Sequence, residues 1–598
     1  MKNFKEKADL IWRVADLLRG DYRQSDYGKV ILPLTVLRRL DCVLEPTKQK
    51  VLDYLPKLDS LKDSAKDITL NKIAGFNFHN RSLFNFDKLI ADPNNVSVNL
   101  RNFINGFSGS AREIIEYFNF DDQIDRMDDN KTDILYRVVK SFQEIDLKDM
   151  DSMEMGYVFE DLIRRFAEQS NETAGEHFTP REVIRLMVNV LFVEDKDILA
   201  QDGIVKTLYD PACGTGGMLS VGEQYIKELN PKADLKVFGQ EINPESYAIC
   251  KSDMLIKGQN PSNIKFGNTF TIDGLEDEKF DYMLSNPPFG VDWKKAQNII
   301  KAESDKKGMS GRFGAGLPRI NDGSLLFLQH MISKMKADGS RIAIVFNGSP
   351  LFTGAAESGE SNIRKWIIEN DRLEAVIALP DQLFYNTGIS TYIWVITNNK
   401  HPERKGKVQL INATGTKDEE LCKQGKLDFN RFWQKMDRSL GNKRKKIVEN
   451  ENTKGIGFIT QLYGNFEEND FCKIYPNDFF GYRRITVEQP LKEKSKIVKT
   501  KGQPKPDTSL RDYENIPFLK KDANGKLVPQ TIEEYFEREV KPHLPEAWID
   551  HSKTKIGYEI NYTKYFYEFK PLRPLAEIKA DILALEEKTL EAEKRVLD

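Results

Sequence analysis

The chain has 598 residues, of which 40% are hydrophobic and 30% charged, with 35 Phe and 21 Tyr. This is the composition of a globular chain of about two or three domains, and no apolar run approaches the ~18 residues of a membrane-spanning helix. Lys and Arg number 89 against 92 Asp and Glu, a net charge of −3, so the chain lacks the overall positive field of a stand-alone nucleic-acid binder and would have to meet DNA through a local patch or another subunit.

The N-terminus is charged but has no apolar core behind it, so it does not read as a signal peptide. Cys42, Cys213, Cys250, Cys422 and Cys472 are widely spaced and form no C-x-x-C, which argues against a disulfide framework or zinc ribbon and fits a reducing cytoplasm. From residue 4 to 18 apolar residues recur at helical spacing (Ile11, Val14, Ala15, Leu18) and stop at Gly20, predicting an amphipathic helix with a glycine end. A second apolar stretch spans 30–44. Helical patterns around Ile104, Ile114, Ile115, Ile134 and Val138 follow, so residues 1–165 read as a helical N-terminal domain.

From about residue 205 short apolar runs alternate with helical stretches, at 204–209, 236–240, 280–284, 341–346, 373–379 and 391–397. Several are apolar on both faces, which predicts an α/β domain over 166–400 with a doubly wound, mostly parallel sheet. Ligands on such sheets bind at the carboxyl ends of the strands. Residues 401–573 form a weakly patterned C-terminal extension. Within it the basic run Lys443-Arg444-Lys445-Lys446 and the polar stretch 492–526 read as solvated loop. After Pro574, the residues Leu575, Ile578, Ile582, Leu585, Thr589, Ala592 and Val596 alternate at three and four, a short heptad seam that makes 574–598 a candidate partner-binding helix.

Three motifs carry chemistry. The first runs from Asp210 to Leu219, an acid and a glycine-rich turn (Gly214, Thr215, Gly216, Gly217) between a strand and a helix, where a ligand can approach the backbone and meet helix N-terminal donors. Leu219 stands where a dinucleotide fingerprint would have its third glycine, and no G-x-x-x-x-G-K-[ST] occurs. The second is Glu241, at the end of the next strand, placed to accept ribose hydroxyls. The third is Asn286-Pro287-Pro288-Phe289, which ends a buried-type strand. Its prolines lock the backbone and lack N–H groups, so the turn offers carbonyls and the Asn286 amide. Those acceptors suit an exocyclic amino group, and Phe289 offers a face for a base swung out of its helix.

Together with Gly175-Glu176-His177-Phe178-Thr179-Pro180-Arg181 and the stretch 379–388, these pieces resemble the amino-methylating DNA methyltransferases, and more closely the modification subunit of type I restriction-modification systems. The N-terminal stretch 10–20 and residues 557–567 look like that subunit too. The resemblance implies the S-adenosylmethionine-dependent methyltransferase type of sheet, with a helical N-terminal domain and a C-terminal extension ending in a helix. It implies that Glu176, His177, Phe178, Thr179, Pro180 and Arg181 hold the methionine end of S-adenosylmethionine. Asp210, Gly214, Thr215, Gly216 and Gly217 would line the same pocket, Glu241 would take the ribose hydroxyls, and Asn268 would stand where many relatives have an Asp reaching the cofactor adenine. Asn286 and the Pro287 carbonyl, in a turn fixed by Pro288, would orient the target amino group, and Phe289, with Phe384, would stack on the flipped base.

Cytosine C5 chemistry needs a Cys nucleophile, usually after Pro, and no Pro-Cys pair occurs; between the two amino targets, Asn286-Pro287-Pro288-Phe289 resembles the adenine-N6 enzymes more than the cytosine-N4 ones, which implies adenine N6. Cys213 reads as a packing residue, and no metal is expected. Pro380-Asp381 with Glu403 and Lys405 matches a loose nuclease pattern, but Pro380-Asp381 is better used by the 379–388 motif. The resemblance further implies DNA as substrate, two copies joined to one specificity subunit, a separate restriction and translocase subunit, no membrane, and a cytoplasmic location. The alternatives are a solitary amino-methyltransferase acting on adenine N6 or cytosine N4, an enzyme acting on RNA or protein, and a non-catalytic scaffold that keeps the fold.

Overall fold

In the computed structural model the described residues are 2–60, 62–128, 132–170, 179–385, 387–448, 453–494, 496–500, 502–567 and 574–597. The chain groups into two units, 1–560 and 561–598. The first begins with helices α1 (Lys2–Trp12), α2 (Gly28–Tyr54) and α3 (Ser152–Ser170). The helix expected over 4–18 is broken at Arg13, and Val14–Leu18 forms a separate short helix. Leu34, Leu37, Leu100, Phe103, Val138 and Phe142 bury completely in one helical core. That core extends onto Ala248 and Ile249 of a helix in the following region, so the helical part packs on the sheet region through apolar surface.

Nine strands make the main sheet: β1 (Val205–Asp210), β2 (Asp234–Glu241), β3 (Ile264–Phe266), β4 (Tyr282–Ser285), β5 (Arg341–Phe346), β6 (Leu373–Ala378), β7 (Tyr392–Thr397), β8 (Lys407–Asn412) and, after the hairpin β9 (Gln434–Leu440) and β10 (Lys443–Lys446), β11 (Cys472–Pro476). Their order is β11-β8-β6-β7-β5-β4-β1-β2-β3. Every residue of β5 and β6 is buried, as strands covered on both faces by helices require. Strands β1 to β5 pair parallel, with Leu208 between Val237 and Tyr282. β7 runs antiparallel between β5 and β6, and β11 runs antiparallel to β8. The chain winds outward from β1 through β2 to β3 and then returns to β4, so the order reverses between β1 and β4, where an open sheet forms its ligand crevice.

Helices α4 (Arg181–Phe192), α5 (Gly217–Leu229) and α6 (Pro244–Ile256) cover this half of the sheet. Beyond it, β12 (Gly481–Glu488) is the centre of a small antiparallel sheet flanked by Asp512–Pro517 on one side and by Trp548–Ile549 and Lys555–Tyr558 on the other. Residues 561–598, described by themselves, contain the helix α7 (Leu575–Leu597). No helix among the described residues is long and apolar enough to cross a membrane.

Three regions differ from the sequence reading: the stretch 492–526, read as solvated loop, holds the strand Asp512–Pro517, and two others differ as follows. The basic run 443–446 is not solvated loop: it is β10, paired with β9, and Lys443 is buried against Glu182. The extension beyond residue 398 also supplies β8 and β11 to the main sheet, and a charged knot ties them in. Arg341 Nη2 lies 2.9 Å from Glu374 Oε1, Tyr463 donates to the same carboxylate, and Arg404 Nη2 lies 2.8 Å from Glu194. Burial pushes the Glu374 carboxyl up, but Arg341 and Arg404 outweigh it and hold the group below its usual range.

Removing one partner of such a knot leaves an uncompensated charge in the interior. Glu374→Ala should therefore cost about 3–5 kcal/mol of unfolding free energy in urea, and the paired change Arg341→Met with Glu374→Leu should recover most of it. A single variant as stable as the wild type would mean that the knot does not hold the extension.

Candidate active site

A cleft of about 500 Å3 opens at the carboxyl ends of β1, β2 and β4, within the ~300–1,000 Å3 of small-molecule sites. It is lined by the expected residues Thr179, Asp210, Gly214, Thr215, Gly217, Glu241, Asn268, Asn286 and Pro288. Pro180, Arg181, Gly216, Pro287, Phe289 and Phe384 lie outside that lining. Glu176, His177 and Phe178 fall outside the described residues.

The turn after β1 has two glycines in the left-handed region, Gly214 (φ 54°) and Gly216 (φ 85°). A Cβ on Gly216 would sit 2.8 Å from Cys250 Sγ, so the turn also needs glycine for its close approach to α6. Glu241 holds the turn in place. Its Oε2 accepts from the Gly214 N–H at 2.8 Å, and its Oε1 accepts from the N–H groups of Ile242 and Asn243 at 2.9 and 2.7 Å. Burial raises its carboxyl while these three bonds pull it down, and the net direction is upward.

Asp210 ends β1, 2% exposed, and its Oδ1 accepts from the Ala212 N–H at 3.0 Å and from Ser285 Oγ at 2.9 Å. Burial is the dominant influence and pushes its carboxyl up to about 7. Cys213, beside it, is a packing residue as expected: hydrogen bonding to Cys250 and burial hold its thiol well above the usual range. Asn268 Oδ1 accepts from the Phe270 N–H at 2.8 Å, which fixes its amide with the carbonyl turned to the backbone. The adjoining Thr269 and Phe270 carbonyls are gripped by Arg312, 2.8 and 3.0 Å away, and Arg312 is in turn held by Glu303.

Asn286, which also lines the cleft, follows β4 and donates from Nδ2 to Thr179 Oγ1 at 2.8 Å. This bond joins the stretch that opens α4 to the Asn-Pro-Pro-Phe turn and sets which end of the amide is the acceptor. Arg181 is occupied otherwise: Nη1 donates to the Gly217 carbonyl at 3.1 Å and Nη2 pairs with Glu160 at 2.7 Å. It shapes the glycine turn from behind. Phe289 is half-buried, with Phe384 edge-on at 6.5 Å between ring centroids. Phe384, expected to stack on the base with Phe289, is 2% exposed and packs against Phe289. The nuclease-like pattern does not gather either: Asp381 pairs with Lys445, while Glu403 lies by Glu194 and His401.

Sequence reasoning missed several cleft residues, among them Glu160, Ile242, Phe270, Trp293 and Phe327. Ile242 could have been found: an apolar residue directly after a strand-end acid, 58% exposed here, is available to a flat ligand.

Two family models match the chain, one described as N-6 DNA Methylase over residues 150–462 and one as HsdM N-terminal domain over residues 8–142. The Type I restriction enzyme MjaIX methylase subunit of Methanocaldococcus jannaschii is 26% identical over 418 residues, 67% of this chain and 71% of its own length. The Type I restriction enzyme HindI methylase subunit of Haemophilus influenzae is 31% identical over 261 residues, 43% of this chain and 54% of its own. A crystal structure of the type I restriction-modification system methyltransferase subunit from Streptococcus thermophilus has a TM-score of 0.60 at 22% identity, covering 80% of this chain and 97% of that one, which is a likeness of fold.

The buried Asp210 carboxyl sets the sign of one pH effect. It titrates near 3.8 unperturbed and at about 7 in the fold, so the unfolded chain loses that proton first, and stability falls as pH rises from about 4 to about 7 and levels off above. Asp210→Asn should lack this slope, and its thermal midpoint should exceed that of the wild type by more at pH 8 than at pH 5. Equal differences at the two pH values would sink the assignment.

Proposed function

The chain belongs to the N-6 DNA methylase family, and from that premise we propose that it is the modification subunit of a type I restriction-modification assembly. It methylates the N6 amino group of adenine in DNA with S-adenosylmethionine, in the cytoplasm. Two copies join one specificity subunit, and a separate restriction and translocase subunit completes the assembly. The observation that carries this reading is the cleft at the β1/β4 reversal, lined together by Asp210, Glu241 and Asn286.

The donor set fits the cofactor. Glu241 offers acceptors for ribose hydroxyls, the glycine turn lets the ligand lie close to the backbone, and Ile242 and Phe270 are apolar surfaces for an adenine ring. The Oδ1 of Asn268 is already engaged by the Phe270 N–H, so Asn268 would meet a ring nitrogen through its Nδ2 donor. Asp210 and Thr179 would lie toward the sulfonium and methionine end, with Pro180 and Arg181 supporting that wall. When bound, S-adenosylmethionine supplies an electrophilic methyl whose leaving group is a neutral thioether.

The target adenine would enter with its ring on Phe289, while Phe384 keeps that ring from turning. Asn286 Oδ1 and the Pro287 carbonyl would accept the two N6 hydrogens and draw the nitrogen lone pair out of the ring toward the methyl carbon. With S-adenosylmethionine held by Glu241, Asp210 and the glycine turn, its methyl would be the group passed to the amino nitrogen that Asn286 and Pro287 orient. One N6 proton is then lost to solvent. Pro288 holds the turn rigid throughout. The helix α7 is the candidate contact with the specificity subunit: Leu575, Ile582 and Leu585 on its heptad seam are each more than half exposed.

Three experiments test this reading. Sequencing that detects N6-methyladenine, applied to DNA from cells expressing the chain with its specificity subunit, should show methylation at one split site. Asn286→Ala should lower the methylation rate by about 10²–10³ with cofactor affinity preserved; methylation at the wild-type rate would remove Asn286 from the chemistry. Deletion of residues 574–598 should abolish co-purification with the specificity subunit while leaving cofactor binding intact, and retained association would move that contact elsewhere.

A further inference from the structure

A chain of net charge −3 that handles DNA would meet it through a local patch or another subunit, and the β9–β10 hairpin is one such patch. Residues 434–446 hold six basic side chains (Lys435, Arg438, Lys443, Arg444, Lys445, Lys446) against the single acid Asp437, a local charge of +5. Two of the six are committed. Lys443 is buried, pairing with Glu182 and donating to the Leu383 carbonyl at 3.0 Å, and Lys445 pairs with Asp381 at 2.5 Å over the face of Trp433. The other four, Lys435, Arg438, Arg444 and Lys446, are exposed and have no carboxylate partner among the described residues.

The hairpin is rigidly mounted beside the target-base end of the site. Leu440 pairs with Lys443 across Gly441 and Asn442, with Gly441 in the left-handed conformation (φ 59°) that a two-residue hairpin turn calls for. The Asn442 N–H donates to the Tyr385 carbonyl at 2.9 Å, and the Gln382 carbonyl accepts from the N–H groups of Arg444 and Lys445. Gln382 adopts φ 56°, an uncommon conformation for a residue with a side chain. Between Gln382 and Tyr385 lies Phe384, which backs Phe289. The hairpin tip (Arg438, Ser439, Leu440, Gly441) lines a second cleft of about 680 Å3 together with Glu160, a residue that also lines the first cleft.

We propose that this hairpin is the DNA-backbone clamp of the site: Lys435, Arg438, Arg444 and Lys446 take phosphates of the strand that carries the flipped adenine, next to Phe289. The proposal rests on the DNA-methylation reading above. Exposed cations without carboxylate partners, on a frame fixed by backbone hydrogen bonds, hold a phosphate chain in register without reading sequence.

The test uses the full complex of modification and specificity subunits with Arg438→Gln, Arg444→Gln and Lys446→Gln combined, and Arg438→Gln alone. Affinity is measured against salt concentration on a duplex carrying the target site and on a scrambled duplex. The plot of log affinity against log salt should be shallower by about 3 for the triple variant and by about 1 for the single one, equally on both duplexes, with affinity for S-adenosylmethionine unchanged. A wild-type slope in the triple variant, from a complex whose wild type methylates DNA, would overturn the clamp alone. Loss of the specificity subunit from the triple variant would also overturn it and make the hairpin a protein interface. A wild-type complex that binds no DNA would overturn the clamp and the functional reading together.

Discussion

The hydrogen bond from Ser285 to Asp210 crosses from β4 to β1 at the point where the sheet reverses its winding, and the site is arranged around it. On one side lie the glycine turn, Glu241 and the loop of Asn268. On the other lies the Asn286 turn, directly after Ser285. A carboxyl so buried is held near neutrality, so the position is unfavourable for the fold whenever the group is charged. Its neighbours offset only part of that cost. The balance places a group that can carry negative charge where a cationic ligand would meet it, the common fate of perturbed groups at functional sites.

The strands that were legible in the sequence are those whose burial on both faces needs no partner to explain it. The runs at 341–346 and 373–379 became β5 and β6 almost residue for residue, since strands apolar but for one ionic residue each, Arg341 and Glu374, have few other uses. β8 and β11 were illegible because polar residues interrupt them and are satisfied only by distant groups. Gln409 inside β8 donates to the Leu462 carbonyl and to Cys472 Sγ, and Lys407 and Lys473 flank the core. The three residues of β3 are too short for a period to register. Lys443 shows the limit most plainly: its partner Glu182 is 261 residues away, so nothing local in 443–446 distinguishes a buried strand from a solvated run.

The site divides in the same way. Its acids, glycines and the Asn286 turn were legible because each sits at a strand end, where geometry restricts what the residue can face. Which residues touch a ligand and which hold those that do was not legible, because a motif gives proximity in sequence without orientation. Arg181 and Phe384 illustrate this. Both belong to motif stretches, and both lie one layer behind the cleft, Arg181 bracing the Gly217 carbonyl and Phe384 bracing Phe289. A change at either would alter the site through another residue, so sensitivity to mutation there would not establish contact.

The distribution of charge bears on how such a subunit can work beside a partner that reads sequence. Phosphate contacts raise affinity for every DNA site alike, so a strongly basic catalytic chain would bind widely and dilute the discrimination that base contacts supply. A chain near neutrality overall, with four exposed cations on one braced hairpin beside the target pocket, avoids that conflict. It can align a strand already delivered to it, while contributing little to the choice of where on the duplex the assembly stops. In the same hairpin, Lys443 and Lys445 are spent on Glu182 and Asp381 to fix the mount, leaving the exposed cations to set the strength of backbone contact.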